Sequence, residues 1–382
     1  MIMHIHHQNR GPECYNEDMN TIDTKQSDHL SGLLLEWYDR EGRTLPWRED
    51  PSPYHVWLSE IMLQQTRVEA VKDYYAHFLQ VLPTIESLAK AEEDLYMKLW
   101  QGLGYYSRVR NLHKAAMQIM DEYDGIMPET SAELQKLAGI GPYTAAAIAS
   151  ICFDERIPAI DGNLLRVFSR MTGYDQDIRS GAAKTAARVF YEEIFPHCRC
   201  GDFNQALMDL GACICIPNGV PLCEDCPWTD HCRSRADGTC RQLPVTLPKA
   251  ERLIEHRTVF LIYYQGRLVL RKRPGQGLLA GLYEYPNTDG VLQEPEILSY
   301  LQTLGFSPVR IRPLTAAKHV FTHREWHMTG WEVLADKQPE DLPEARKNHD
   351  LYLAAASELR DIYSIPSAFS GYTEQINTEY LK

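Results

Sequence analysis

The sequence predicts a multidomain fold: an all-α region of about 200 residues, then a smaller α+β domain. From about Leu30 to Cys232 apolar residues recur at three- and four-residue steps between Gly, Pro and short polar turns, the period of amphipathic helices. Past a proline-punctuated stretch the texture changes to alternation, the period of strands. At 382 residues the chain has room for two cores. The pattern places a flexible N-terminal extension over 1–27, a helical region over 28–234, a linker over 235–255, an α+β domain over 256–364 and a C-terminal tail over 365–382.

In chain order, the polar start "MIMHIHHQNRGPECYNEDMNTIDTKQSDH" lacks the apolar stretch of a signal peptide, and no later run approaches membrane-spanning length, so a cytoplasmic protein without a membrane partner is expected. The "MHIHH" cluster has the composition of a metal site, but a short His cluster on such a start is more often incidental. Helices are expected over "LSGLLLEWYDR", over "YHVWLSEIMLQQTRVEAVKDYYAHFLQ" as one run, and over "AEEDLYMKLWQ", "RVRNLHKAAMQIMDEY", "SAELQKLA", "YTAAAIASICF", "NLLRVFSRMTG", "GAAKTAARVFYEEIF" and "GDFNQALMDLGACIC". The stretch "RSRADGTCRQLPVTLPKAE" loses periodicity and carries prolines, which suits a linker. "RTVFLIYYQGRLVLRKR" then reads as two strands joined at Gln265-Gly266, "REWHMTGWEVLAD" as another strand, and Leu351 to Tyr363 as a closing helix.

A formal net charge of −13 argues against a nucleic-acid binder when taken globally, yet a sum hides local basic faces such as Arg108, Arg110 and Lys114. In "LAGIGPYTAAAIA", Gly139 and Gly141 permit a tight turn between helices that presents backbone N–H groups at a helix start. Such a turn binds phosphate without reading sequence, although a plain helix-helix turn has the same text. Asp161, in "AIDGN" twenty residues past Gly141, is a helix cap or a catalyst. Four cysteines, Cys215, Cys223, Cys226 and Cys232, are spaced C-x7-C-x2-C-x5-C. That spacing accommodates a tetrahedral zinc or a [4Fe-4S] cubane. Cys14, Cys152, Cys198, Cys200 and Cys240 have no evident partners in the sequence, and without a secretory signal a disulfide scaffold is not expected.

The hairpin followed by "AIDGNLLRVFSR" resembles the helix-hairpin-helix DNA glycosylase superfamily. "LPWREDPSPYHVWLSEIMLQQTRVEAV" is similar to its adenine DNA glycosylases of the MutY type, a resemblance covering roughly Leu30 to Cys232 and extending weakly beyond. It implies an enzyme that flips adenine out of a duplex and hydrolyses its N-glycosidic bond. Glu60 is then the general acid and Asp161 the carboxylate that stabilises the oxocarbenium-like sugar, with Tyr143 and Asn163 lining the catalytic pocket. Arg43, Leu45, Trp47, Arg48 and Gln205 would surround the extruded base, Trp47 being equally suited to the core. Gln65 and Tyr105 match wedging positions, though Tyr105 and Tyr106 also suit a core.

By the same resemblance the four cysteines hold a [4Fe-4S] cluster; the family's usual first gap is one residue shorter, and Cys213 would widen it further. Relatives that also cut the backbone carry a lysine where this chain has Tyr143, and a phenol forms no imine, which favours a monofunctional glycosylase; Lys136 and Lys184 lie elsewhere. The second domain resembles a Nudix-like lesion-recognition domain, but no helix of clustered glutamates follows "GLLAGLYEYP", so recognition without hydrolysis is expected. Phe321, Thr322 and His323 match the family's lesion-reading loop, commonly Phe-Ser-His. The implied partner is double-stranded DNA with adenine opposite 8-oxoguanine or guanine, met by a monomer in the cytoplasm and associated with the nucleoid in a bacterium. An endonuclease III-like glycosylase and lyase for oxidised pyrimidines is the alternative, and a non-catalytic DNA binder has no need of Glu60 and Asp161.

Overall fold

A computed structural model describes residues 24–248, 251–337 and 351–381. The "MHIHH" cluster and Cys14 lie outside them, and the helix Thr24–Glu41 begins within the last four residues of the expected N-terminal extension. Two compact units form: one from Met1–Val68, Thr84–Glu86 and Lys114–Pro248, the other from Glu69–Pro83, Ser87–His113 and Lys249–Lys382. The second unit thus includes helical chain that the sequence assigned wholly to the first region.

The first unit is helical, as its periodicity predicts. One of its cores gathers Leu34 and Trp37 of Thr24–Glu41, Leu164 and Phe168 of Gly162–Thr172, Tyr191 of Gly181–Ile194, Phe203 and Leu207 of Cys200–Asp209, and Trp228. The long run expected around Tyr54 to Gln80 breaks into Pro53–Leu63 and Val68–Val81, with Gln65 in the left-handed region at φ 60°. No Gly or Pro marks that break in the text, so periodicity alone ran through it. "SAELQKLA" supplies only one α-turn, Ser131–Leu134, capped by Thr130. The chain before Asp161 is held by Asn204, whose amide accepts from Ala159 N at 3.0 Å and donates to Ile157 O at 2.9 Å. Cys200–Asp209 passes into a π-helical turn, Leu210–Ile214, whose wider winding delivers Cys215.

The second unit is built on a sheet in the order β3-β2-β1-β6-β5, where β1 is Leu253–Tyr264, β2 Arg267–Lys272, β3 Tyr283–Glu284, β5 Ser307–Val320 and β6 Arg324–Lys337. β4, Asn287–Asp289, pairs with β1, and β7, Leu351–Ala354, with β2; among the described residues β1 and β6 are the one parallel pair. The expected β1-β2 turn falls at Gln265-Gly266, both at positive φ. Alternation divides β1 between two cores: Phe260 and Ile262 face the helix Glu294–Thr303, while Val259, Leu261 and Tyr263 face the other side.

Two expectations are corrected here. Leu351 to Tyr363 is not one helix, because its first four residues pair with β2 and only Ala356–Asp361 is helical. Residues 365–381 are not a loose tail: Ile365, Ala368, Phe369 and Tyr372 are buried against Val259 and Leu261, covering a sheet face that would otherwise meet water. Gly330 of β6 admits this cover, since a Cβ there would stand 2.1 Å from the Tyr372 ring. β1 also starts at Leu253, inside the expected linker. No helix among the described residues is long and apolar enough to cross a membrane.

Candidate active site

Glu60, Tyr143 and Asp161 come together at one cavity of about 470 Å³ in the first unit, which Arg43, Leu45, Trp47, Arg48, Asn163 and Gln205 also line. Glu60 arrives on Pro53–Leu63, in a stretch where Ser59, Ile61 and Met62 are buried too. Burial pushes its carboxyl up to about 7; a hydrogen bond with the Tyr143 hydroxyl and the Arg48 charge oppose that rise, while the Asp161 charge adds to it. Tyr143 follows Pro142 at the start of Pro142–Phe153. Burial beside the two carboxyls holds its hydroxyl well above the usual phenol value, so it stays a proton donor.

Asp161 is both a cap and a cavity residue. Its Oδ1 accepts from Leu164 N at 2.8 Å at the head of Gly162–Thr172, and its Oδ2 accepts from Asn163 Nδ2 at 2.9 Å. Burial pushes this carboxyl up as well, against those hydrogen bonds and the Arg166 charge, so both carboxyls of the cavity are raised. Trp47 is 6 % exposed and also lines the cavity.

Three residues the sequence did not single out hold this arrangement. Arg166 donates from Nη2 to Asn163 Oδ1 at 2.8 Å and to Gly211 O at 2.6 Å, and from Nε to Cys215 O at 2.7 Å. Gly211 leaves room for Asn163, whose Cβ would stand 2.6 Å from a Cβ added there. Asp209, its side chain 1 % exposed, accepts from Arg43 Nε at 2.8 Å and from Arg48 Nη1 at 2.8 Å and Nη2 at 2.9 Å. Burial raises the Asp209 carboxyl, but the two arginines outweigh it and hold the group below its ordinary value. The available signal was a charged residue on the buried side of an amphipathic helix, where it needs a partner.

Residues 58–193 match the model of the HhH-GPD superfamily of base excision DNA repair proteins, and residues 258–375 match the NUDIX domain. The chain is 36% identical over 349 residues to the adenine DNA glycosylase of Rattus norvegicus, covering 76% of this chain and 67% of that protein. Over 306 residues it is 36% identical to the adenine DNA glycosylase of Buchnera aphidicola subsp. Baizongia pistaciae, covering 80% of this chain and 86% of the relative. The chain belongs to the adenine DNA glycosylases. A solved thermostable thymine-DNA glycosylase is 27% identical with a TM-score of 0.50, covering 56% of this chain and 98% of that one.

In this member of the adenine DNA glycosylases the hairpin turns at Gly139, in the left-handed region at φ 74°. Gly141 caps Pro142–Phe153 in extended geometry, and a Cβ there would meet nothing within 4 Å, so its bareness leaves the helix N-terminus open. Lys136 is exposed and paired with Glu133 at 2.6 Å, Lys184 is exposed, and neither lines the cavity. Gln65 is exposed at the helix break and is also outside the cavity lining.

The second unit separates the two tyrosines: Tyr106 is 5 % exposed, whereas Tyr105 is 48 % exposed and has φ 48°. The Tyr105 hydroxyl stands 2.9 Å from Thr322 Oγ1. Phe321, Thr322 and His323 form the β5-β6 turn, where Thr322 and His323 are exposed and Phe321 packs edge-on against Trp326 at 4.9 Å. The basic run is corrected: Arg108 is buried and donates to Leu103 O and Gly104 O, and Arg110 pairs with Glu93 at 3.0 Å, which leaves Lys114 exposed. Glu284, the acid within "GLLAGLYEYP", is buried between Arg271 and Arg273 at 2.6 and 2.5 Å.

The four expected cysteine ligands line a second cavity with Val167, Arg170 and Trp228. Cys213 is exposed and lies outside it. Arg170 aims Nη1 at Cys215 Sγ, 3.2 Å away. Among the described residues no three His, Cys, Asp or Glu side chains stand together as ligands of a single ion. Cys240 is corrected: it lines the same cavity, with its sulfur 4.0 Å from that of Cys223 and 3.2 Å from Ser234 Oγ.

Proposed function

We propose that this chain removes adenine opposite 8-oxoguanine or guanine in duplex DNA, as a monofunctional hydrolase of the N-glycosidic bond, and holds a [4Fe-4S] cluster through Cys215, Cys223, Cys226 and Cys232. The observation that carries the reading is a buried Glu60 with a carboxyl near pH 7, sharing one cavity with Asp161. A carboxyl that keeps its proton near neutrality is suited to give it to adenine N7, which turns a poor leaving group into a neutral one. As the bond to C1′ breaks, positive charge grows on the sugar, and that charge favours the ionised form of the Asp161 carboxyl beside it. Water adds at C1′ and yields its proton to the Glu60 carboxylate, so the acid is restored.

The Arg48 guanidinium and the Gln205 amide offer hydrogen bonds to the edge of the extruded base, and Trp47 and Leu45 exclude water around it. The open N-terminus of Pro142–Phe153 suits a backbone phosphate. The exposed Tyr105 ring would wedge into the stack, and exposed His323, with Thr322 beside the Tyr105 hydroxyl, would read the opposing base. The cysteine cavity fits a cubane by its chemistry: the four expected thiols, with Cys240 as a fifth, stand among apolar side chains, and an arginine N–H is directed at one sulfur. When bound, the cluster cross-links the chain from Cys215 to Cys232 and so braces the loop that Arg166 and Arg170 grip.

Adenine release from an adenine:8-oxoguanine duplex, scored with and without alkali beside a thymine-glycol duplex, tests this. Alkali-dependent cleavage confined to the adenine strand is expected. Spontaneous nicking at thymine glycol would instead favour the glycosylase and lyase reading and overturn the argument from Tyr143.

A further inference from the structure

The fifth thiol at the cysteine cavity has no part in the four-ligand set. We propose that Cys240 is a reserve ligand for the iron that Cys223 holds, an inference that rests on the cluster reading above. Two thiolates on one tetrahedral metal, each bonded at about 2.3 Å, stand roughly 3.8 Å apart. The Cys223 and Cys240 sulfurs are 4.0 Å apart, so a metal corner within reach of one is within reach of the other after a small side-chain movement. Cys240 is also carried on an ordered turn: Thr239 N donates to Ser234 O at 2.8 Å and Leu243 N to Thr239 O at 3.1 Å. The buried Ser234 hydroxyl directs its hydrogen at the Cys240 sulfur, which pins that sulfur at the cavity wall. Cys213 offers the contrast: it lies nearer Cys215 in sequence yet is exposed and outside the cavity. Each iron of a cubane takes one thiolate, so Cys240 stands by while Cys223 is bound and replaces it when Cys223 is lost.

The test is iron and acid-labile sulfide per chain, with the visible and electron paramagnetic resonance spectra, for the full-length parent, Cys240→Ala, Cys223→Ala and the double variant. Cys240→Ala should keep the parental cluster content and spectrum. Cys223→Ala should keep at least half the iron with an altered spectrum, and the double variant should fall at least fivefold below it. Equal loss of iron in Cys223→Ala and the double variant overturns the proposal, as does equal retention. If Cys223→Ala does not fold, Cys223→Ser with and without Cys240→Ala makes the same contrast. A parent purified without iron overturns the cluster reading itself, which separates the two failures.

Discussion

Arg166 fixes which way Asn163 faces. By donating to Asn163 Oδ1 at 2.8 Å it leaves the amide nitrogen to donate to Asp161 Oδ2 at 2.9 Å, so the catalytic carboxyl candidate is oriented by an arginine one turn into the helix it caps. Arg166→Met keeps the volume and removes every donor. Adenine release should fall tenfold or more, about 1.4 kcal/mol of barrier, with mismatch affinity unchanged. Single-turnover kinetics beside a binding titration decides it, and parental rates would refute the orienting role.

Glu60 carries a pH signature. Its carboxyl sits near 7 in the folded chain against an ordinary 4.5, so kcat/KM should decline above about pH 7 by up to tenfold per unit as the acid form is lost. A flat profile from pH 6 to 9 would exclude Glu60 as the acid.

The same shift acts on stability. Between 4.5 and 7 the folded chain holds a proton that the unfolded chain has released, so the stabilisation present below 4.5 is lost as pH rises through 7. The loss is on the order of 3 kcal/mol. Glu60→Gln, which cannot ionise, should match the parent's Tm at pH 5, exceed it at pH 8, and still lose roughly a hundredfold or more in adenine release. Thermal melts at the two pH values are the check.

Asp209 binds two arginines of the cavity wall, so Asp209→Asn leaves both without their counter-charge. Because Arg43 and Arg48 are 29% and 13% exposed, water relieves part of the cost, and a loss of about 2 kcal/mol is expected rather than the full penalty of an unpaired buried charge. Denaturant titration measures that loss, and a weaker adenine release alongside it would show that the wall itself has moved.

Gly211→Ala brings a methyl group to within 2.6 Å of the Asn163 Cβ. Asn163 must shift, so adenine release should drop at least tenfold while the chain stays folded, at a cost of about 1–3 kcal/mol. Unchanged kinetics would mean that Asn163 tolerates displacement.

The sequence by itself determined what local rules decide: the helical periods, the β1-β2 turn at Gln265-Gly266, the Gly139 turn, and the thiols of the cysteine segment, each set by residues adjacent in the chain. Its motifs also named nine residues that share one cavity, because a motif records chemistry that folding must assemble. The tertiary structure alone decided the rest. Asp209 meets Arg43 and Arg48 across more than 160 residues, Arg166 meets Cys215 across 49, and Cys240 meets Cys223 through a turn that carries no periodic signal. The end of the chain likewise read as a tail because its apolar residues are sparse, yet it covers the Val259 and Leu261 face of β1. Charge partners and covered faces depend on where distant segments pack, and burial, which makes an unpaired charge or a bare apolar face costly, is a property of the packed molecule rather than of any stretch of text.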